Sequence, residues 1–161
     1  MNIKTILCAI DFSESSIQAL KWTLKMAQLT GSQVTVLFCY RLIAAADNEE
    51  TLKLKRNIEH EALTKFNEIE KKIINGHTVS YQFVAEVGFF SFRIEMFMRK
   101  SPVDLLVMGN SIIQNFNEYK NLSFEQFIES SKVPVVIVPE ETKEFISLSV
   151  NSIFETKQQA T

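Results

Sequence analysis

Two short polar segments follow apolar, strand-like runs and carry the residues best suited to bind a ligand. The first is Asp11-Phe12-Ser13, after the apolar run that starts at Ile6. The second is Gly109-Asn110, after the run that ends at Met108. In an open parallel sheet, ligands bind outside the carboxyl ends of the strands. If these runs are neighbouring parallel strands, the two segments form a candidate site at that edge.

The serines at the start of the first predicted helix could act as a nucleophile or cap the helix, and their positions favour the cap. Ser13 or Ser15 can cap this helix, and Glu14 suits the helix dipole in its first turn. A serine nucleophile needs a histidine base, and neither His60 nor His77 has the order or context of a triad. We therefore predict no catalytic residue and no enzyme.

Composition and charge exclude several other classes of function. Cys8 and Cys39 lie in apolar runs, which indicates buried thiols in a reducing compartment and no metal site. The net charge of -2 gives no general attraction to nucleic acid or to an anionic membrane. No apolar run approaches the ~20 residues of a membrane span, and the N-terminus lacks a signal-peptide pattern. We predict a cytoplasmic protein that needs no cofactor.

The elements that must position the candidate site alternate between strand and helix. This alternation is typical of βαβ units and of a parallel sheet covered on both faces. The predicted strands are 3–10, 33–40, 78–86, 104–108 and 133–138. The predicted helices run from the serine cap to Gly31, and then over 49–74, 89–100 and 123–131. No internal repeat is present, so the chain is expected to form one domain.

Three segments, in this order and spacing, resemble the universal stress protein family. They are Ile6–Glu14, Asp104–Asn110 and Val133–Pro139, and the resemblance covers about 1–139. It implies a five-stranded sheet in the order 3-2-1-4-5, a homodimer, and a nucleotide site where the strand order reverses. The residues of this chain that match the family's site positions are then the candidate residues of that site.

The resemblance places Asp11, Phe12, Met108, Gly109 and Asn110 at this reversal point, with Cys39 at the end of the neighbouring strand. In nucleotide-binding members, the residue matching Asp11 lies by the nucleoside and the one matching Cys39 touches the adenine. The residues matching Met108, Gly109, Ser123 and Phe124 line the site. The Asp11 carboxylate can accept hydrogen bonds from ribose hydroxyls or an adenine amino group, or it can cap the first helix.

The chain departs from the family's phosphate-binding signature at two glycines. The signature is Gly, two residues, Gly, nine residues, Gly, then Ser or Thr, and here these positions hold Gly109, Ile112, Leu122 and Ser123. A β-branched residue with left-handed φ costs about 1–2 kcal/mol, and a leucine side chain stands where bare backbone would face phosphate. We predict a degenerate adenine-nucleotide pocket that does not bind ATP tightly. The alternatives are an ATP- or AMP-binding protein with a reshaped phosphate loop, and a slow ATPase.

The last predicted strand is expected to form the dimer interface. It would be a sheet edge of nearly unbroken β-branched residues, namely Val133, Val135, Val136, Ile137 and Val138. An exposed edge of this kind recruits a partner strand, and the resemblance implies a second copy of the chain across a two-fold axis. The extension 140–161 carries enough apolar residues to dock in part, while its last residues are predicted to be disordered.

Overall fold

Five parallel strands form one sheet in the computed structural model, which describes residues 2–43, 47–76, 78–116 and 123–140. The strands are β1 (Thr5–Ile10), β2 (Gln33–Tyr40), β3 (Tyr81–Val87), β4 (Leu105–Gly109) and β5 (Val135–Val138). Their order in the sheet is β3-β2-β1-β4-β5, and every paired neighbour is parallel. This confirms the predicted fold class and strand order.

Helices cover both faces of this sheet. They are α1 (Glu14–Thr30), α2 (Glu49–Ile69), α3 (Phe90–Lys100), α4 (Asn110–Gln114) and α5 (Phe124–Ser130). A π-helical turn, Glu70–Ile74, extends α2. The predicted elements agree with these bounds to within three residues, but α4 falls in a segment for which the sequence predicted no helix.

The central strands are buried on both faces, which explains their continuous apolar runs. In β1, Ile6, Cys8 and Ile10 contact the cluster under α1 and α2. Leu7 and Ala9 contact the second cluster, on the opposite face, under α3, α4 and α5. Because side chains alternate along a strand, β1 contributes to both cores. This packing positions the polar residues that follow Ile10.

Helix α1 ends as the sequence predicted. Gly31 takes a left-handed conformation with φ of 72°, and its N–H donates to the carbonyl of Ala27. Glycine adopts this conformation without the Cβ clash that other residues meet, so it closes the helix and releases the chain into β2. At its other end, α1 begins beside the carboxyl end of β1, where the candidate site lies.

Two predictions fall outside the described residues. The docking of the extension concerns positions beyond 140, and Leu122 of the glycine signature lies between the described ranges. No helix among the described residues is long and apolar enough to cross a membrane.

Candidate functional site

The carboxyl ends of β1 and β4 lie side by side and bring Asp11 close to Gly109. Ala9 pairs with Met108 in the register of the two strands. The first turn of α1 packs directly on the end of β4, because a Cβ built on Gly109 would lie 2.5 Å from both the Ser15 carbonyl carbon and the Ser16 backbone nitrogen. This approach requires glycine at position 109, whether or not a ligand is bound.

A cluster of hydroxyl groups surrounds the Asp11 carboxylate. Its Oδ1 atom accepts hydrogen bonds from the Ser13 N–H, at 3.0 Å, and from the Ser13 hydroxyl. Its Oδ2 atom accepts a hydrogen bond from the Ser111 hydroxyl at 2.8 Å. The carboxylate therefore links the start of α1 to α4 across the point where the strand order reverses.

Ser15 strengthens the same link from the side of α1. The Ser111 N–H donates to Ser15 Oγ at 3.1 Å, and the Ser15 hydroxyl donates to Ser111 Oγ at 3.0 Å. Ser15 is fully buried. We refer to Asp11, Ser13, Ser15 and Ser111 as the serine–aspartate cluster. Within this cluster, the polar groups between the ends of β1 and β4 form hydrogen bonds with one another.

Opposing effects act on the pKa of Asp11. Burial raises it, but hydrogen bonds from Ser13 and Ser111 lower it, and together they hold the pKa below its ordinary value of 3.8. Asp11 is therefore ionised at neutral pH. The helix cap is made by Ser13, whose Oγ accepts from the Ser16 N–H at 3.2 Å. Of the three residues considered for this cap, the structure uses Ser13, and Asp11 accepts hydrogen bonds from the Ser13 N–H and hydroxyl.

Phe12 turns away from the other candidate residues. It has a φ of 62°, a positive value that no other non-glycine residue of the described ranges shows. Its ring packs on Phe38, with 4.9 Å between centroids, and the Lys65 ammonium lies 5.8 Å from its ring centroid. Phe12 thus contacts the core under α1 and α2. The left-handed backbone directs the ring to this face.

Cys39 and Met108 lie on the opposite face and belong to the core under α3, α4 and α5. Met108 is fully buried and Cys39 is 6% exposed. Burial, reinforced by the nearby Glu86 carboxylate, raises the pKa of the Cys39 thiol to about 12. Cys39 is therefore a neutral packing residue at pH 7. The structure does not bring Phe12 together with Cys39 and Met108.

The chain after β4 folds into α4, where the sequence comparison placed a phosphate loop. Ile112 lies inside this helix and is 1% exposed. Ile112 does not take the left-handed conformation that would strain a β-branched residue, because Phe12 alone among described non-glycine residues has positive φ. Phe116 follows shortly after the end of α4, and both Ile112 and Phe116 join the core.

Ser123 and Phe124 act locally at the start of α5. Ser123 Oγ accepts from the Gln126 N–H at 3.2 Å, and Gln126 Oε1 accepts from the Ser123 N–H at 3.0 Å, forming a capping box. The Phe124 ring packs edge-on against Phe116, with 5.3 Å between centroids. Asn110, the first residue of α4, is exposed.

Sequence reasoning missed Ser15 and Ser111 as site residues. Both are ordinary serines in sequence, 96 residues apart, and only the packing of α1 against β4 brings them together. Within the described ranges, no group of three or more His, Cys, Asp or Glu side chains could hold a metal ion.

The fold is an open α/β domain with a parallel sheet, and the candidate site lies where its strand order reverses. A profile of the universal stress protein family matches residues 2–139, and the chain belongs to this family. A search of curated proteins finds no match.

Solved structures share the fold at low sequence identity. The hypothetical protein MJ0577 is 24% identical, with a TM-score of 0.67, over 86% of this chain and 97% of its own. A universal stress protein in complex with cAMP is 17% identical, with a TM-score of 0.64, over 88% and 100%. The universal stress protein from Archaeoglobus fulgidus in complex with dAMP is 17% identical, with a TM-score of 0.56, over 86% and 99%.

Proposed function

We propose that this universal stress protein is a dimeric regulatory binding module whose adenine-nucleotide pocket is degenerate, so that it does not bind ATP tightly. The observation that carries the proposal is the position of Ile112. Its side chain is buried in the core from within α4, in place of a glycine turn. Phosphate binding by backbone N–H groups needs a chain that the anion can approach closely.

Charge does not compensate for the missing glycine turn. No arginine lies between Gly109 and Ser123, and Lys120 is offset by Glu118 in the sequence. The Ser123 hydroxyl and N–H both take part in the capping box of α5. A triphosphate would therefore lack the cation and the open donors that give such ligands their affinity.

The nucleoside side of the pocket supports the same proposal. Asp11 accepts three hydrogen bonds from Ser13 and Ser111, so a ligand donor would have to displace one of them. The first turn of α1 has its cap, which removes another free donor from the site. Internal hydrogen bonds therefore occupy the groups at the ends of β1 and β4 that a nucleotide would need, and this supports a site closed to nucleotides.

Dimerisation through β5 is supported by its place at the edge of the sheet. The Leu106 N–H donates to the Pro134 carbonyl at 3.0 Å, and Leu106 pairs with Val135. In a parallel ladder, this register directs the Val136 N–H toward β4 and the N–H groups of Val135 and Ile137 toward the open edge. Val133 and β5 up to Ile137 are half-buried, whereas Val138 is buried. A second copy of the edge would satisfy the outward groups.

Val135→Pro tests this interface, because it removes one outward N–H at the first residue of the strand, where proline is tolerated. We expect the wild type to sediment as a dimer at micromolar concentration and the variant to dissociate more readily. A wild type that is monomeric throughout the micromolar range would contradict the dimer.

An adenylate-binding function is the second candidate. It is favoured by the solved structures of similar fold that hold cAMP and dAMP, since a monophosphate requires fewer phosphate contacts than ATP. A thermal-shift series with magnesium and ATP, AMP, cAMP or dAMP separates the two candidates. A ligand at 100 times its dissociation constant stabilises the folded state by ~2.7 kcal/mol, which is readily detected.

We expect no shift with ATP at millimolar concentration. A shift with AMP or cAMP alone would favour the second candidate, and a shift with ATP would contradict the degenerate pocket. Inorganic phosphate released from ATP would show hydrolysis, which the proposal does not expect.

A further inference from the structure

We infer that Ser111 prevents nucleosides from binding where the strand order reverses. Its hydroxyl occupies the acceptor on Asp11 that a ribose hydroxyl would use. The inference rests on the proposed function, since it explains how the nucleoside half of the degenerate pocket is closed. It assigns Ser111 the role of an internal competitor for a ligand hydroxyl.

Hydrogen bonds to Asp11, Ser13 and Ser15 fix the position of Ser111. Its hydroxyl donates to Asp11 Oδ2 at 2.8 Å and accepts from the Ser15 hydroxyl at 3.0 Å, and its Oγ lies 2.6 Å from Ser13 Oγ. Its N–H donates to Ser15 Oγ at 3.1 Å. Two contacts involve the fully buried Ser15. Ser111 is thus fixed by partners on α1, while its own side chain remains half-buried at the surface of the cluster.

The bond to Asp11 is charge-assisted, since the carboxylate is ionised. Hydrogen bonds to charged groups are stronger than neutral ones, so a neutral ligand hydroxyl gains little by replacing an equally good internal hydroxyl. Oδ1 is engaged by Ser13, whose hydroxyl also serves the cap of α1. Oδ2 accepts from the Ser111 hydroxyl, which is not part of the α1 cap, so opening this oxygen leaves the cap in place.

The chemistry of the excluded ligand follows from this acceptor. In a degenerate adenine-nucleotide pocket, the hydroxyl donor that would reach a carboxylate oxygen at the end of β1 belongs to the sugar, so the excluded class is a nucleoside with a free ribose hydroxyl. Removing the Ser111 hydroxyl leaves that acceptor open next to Gly109 and Asn110, with no bulk added. Ser111→Ala should then bind adenosine more tightly than the wild type.

The test measures adenosine and 2′,3′-dideoxyadenosine binding by NMR titration of the full chain. We expect Ser111→Ala to bind adenosine at least about tenfold more tightly than the wild type, the ratio that one net hydrogen bond of about 1.4 kcal/mol provides. Dideoxyadenosine should show no such gain. Ser111→Thr keeps the hydroxyl and should behave as the wild type, and Ser130→Ala, on the exposed side of α5, controls for the loss of a serine elsewhere.

The pKa of Asp11, followed by NMR of its carboxyl carbon, provides a second readout. It should rise in Ser111→Ala, because one of the hydrogen bonds that lower it is lost. A raised pKa with unchanged adenosine affinity would overturn the inference and leave the proposed function intact. Equal gains for adenosine and dideoxyadenosine would also overturn it. ATP binding by the wild type would instead contradict the proposed function.

Discussion

Replacement of Ile112 by glycine tests whether position 112 belongs to a phosphate-binding loop or to a helix packed in the core. If position 112 lay in a loop, glycine would restore the family signature and cause little loss of stability. In the structure, Ile112 is 1% exposed and packs in the core with Met108 and Phe116. Truncating a buried isoleucine to alanine costs about 2–5 kcal/mol, and glycine in a helix adds about 0.5–1 kcal/mol. We expect Ile112→Gly to lower the free energy of unfolding by about 3–6 kcal/mol.

Ile113→Gly is the matched control, because Ile113 is the next residue of α4 and is only partly buried. Urea unfolding followed by circular dichroism gives both free energies of unfolding, and in a thermal scan Tm should fall by about 6–24 °C for Ile112→Gly, at roughly 2–4 °C per kcal/mol. The loss at Ile113 should be clearly smaller. A stable Ile112→Gly that gains ATP affinity would refute the core-helix account.

Three further substitutions test individual contacts. Gly109→Ala should lower the free energy of unfolding by about 1–3 kcal/mol or prevent folding, because its Cβ would lie 2.5 Å from backbone atoms of Ser15 and Ser16; wild-type stability in urea would disprove this contact. Ser91→Ala should be neutral or stabilising by up to about 1 kcal/mol, because the buried Ser91 hydroxyl has no hydrogen-bond partner in the described structure; a loss above 1 kcal/mol would reveal one. Asp11→Asn should weaken the acid-side pH dependence of stability. The folded-state pKa of Asp11 lies below 3.8, so its contribution is complete above that pH and is lost as pH falls through the folded value, and an unchanged profile from pH 5 to 2 would contradict this.

The strands and most helices could be predicted because local patterns agree with the fold. Gln33–Tyr40 is predicted with its observed bounds, since a strand buried on both faces reads as a continuous apolar run. The strand order came from the family resemblance, because periodicity does not specify which strands are neighbours. Helix α4 was missed since it is a single short turn in a polar, asparagine-rich segment.

The candidate site was predicted in part. Asp11 and Gly109 lie together as expected, and Ser13 caps α1. The sequence could not show that Phe12 would turn to the opposite face from Cys39, because this depends on one positive φ value. Nor could it place Ser15 and Ser111 beside Asp11, since their contact depends on how closely α1 packs against the end of β4.

Calorimetric titration of the full chain with ATP and magnesium tests the degenerate pocket most directly. The buried Ile112 and the capping box at Ser123 leave a triphosphate without open donors, and the engaged Asp11 carboxylate leaves the nucleoside without a free acceptor. We predict no saturable heat with ATP up to millimolar concentration, at pH 7 and low salt, where electrostatic binding is strongest. A single-site isotherm with a micromolar dissociation constant would contradict the account.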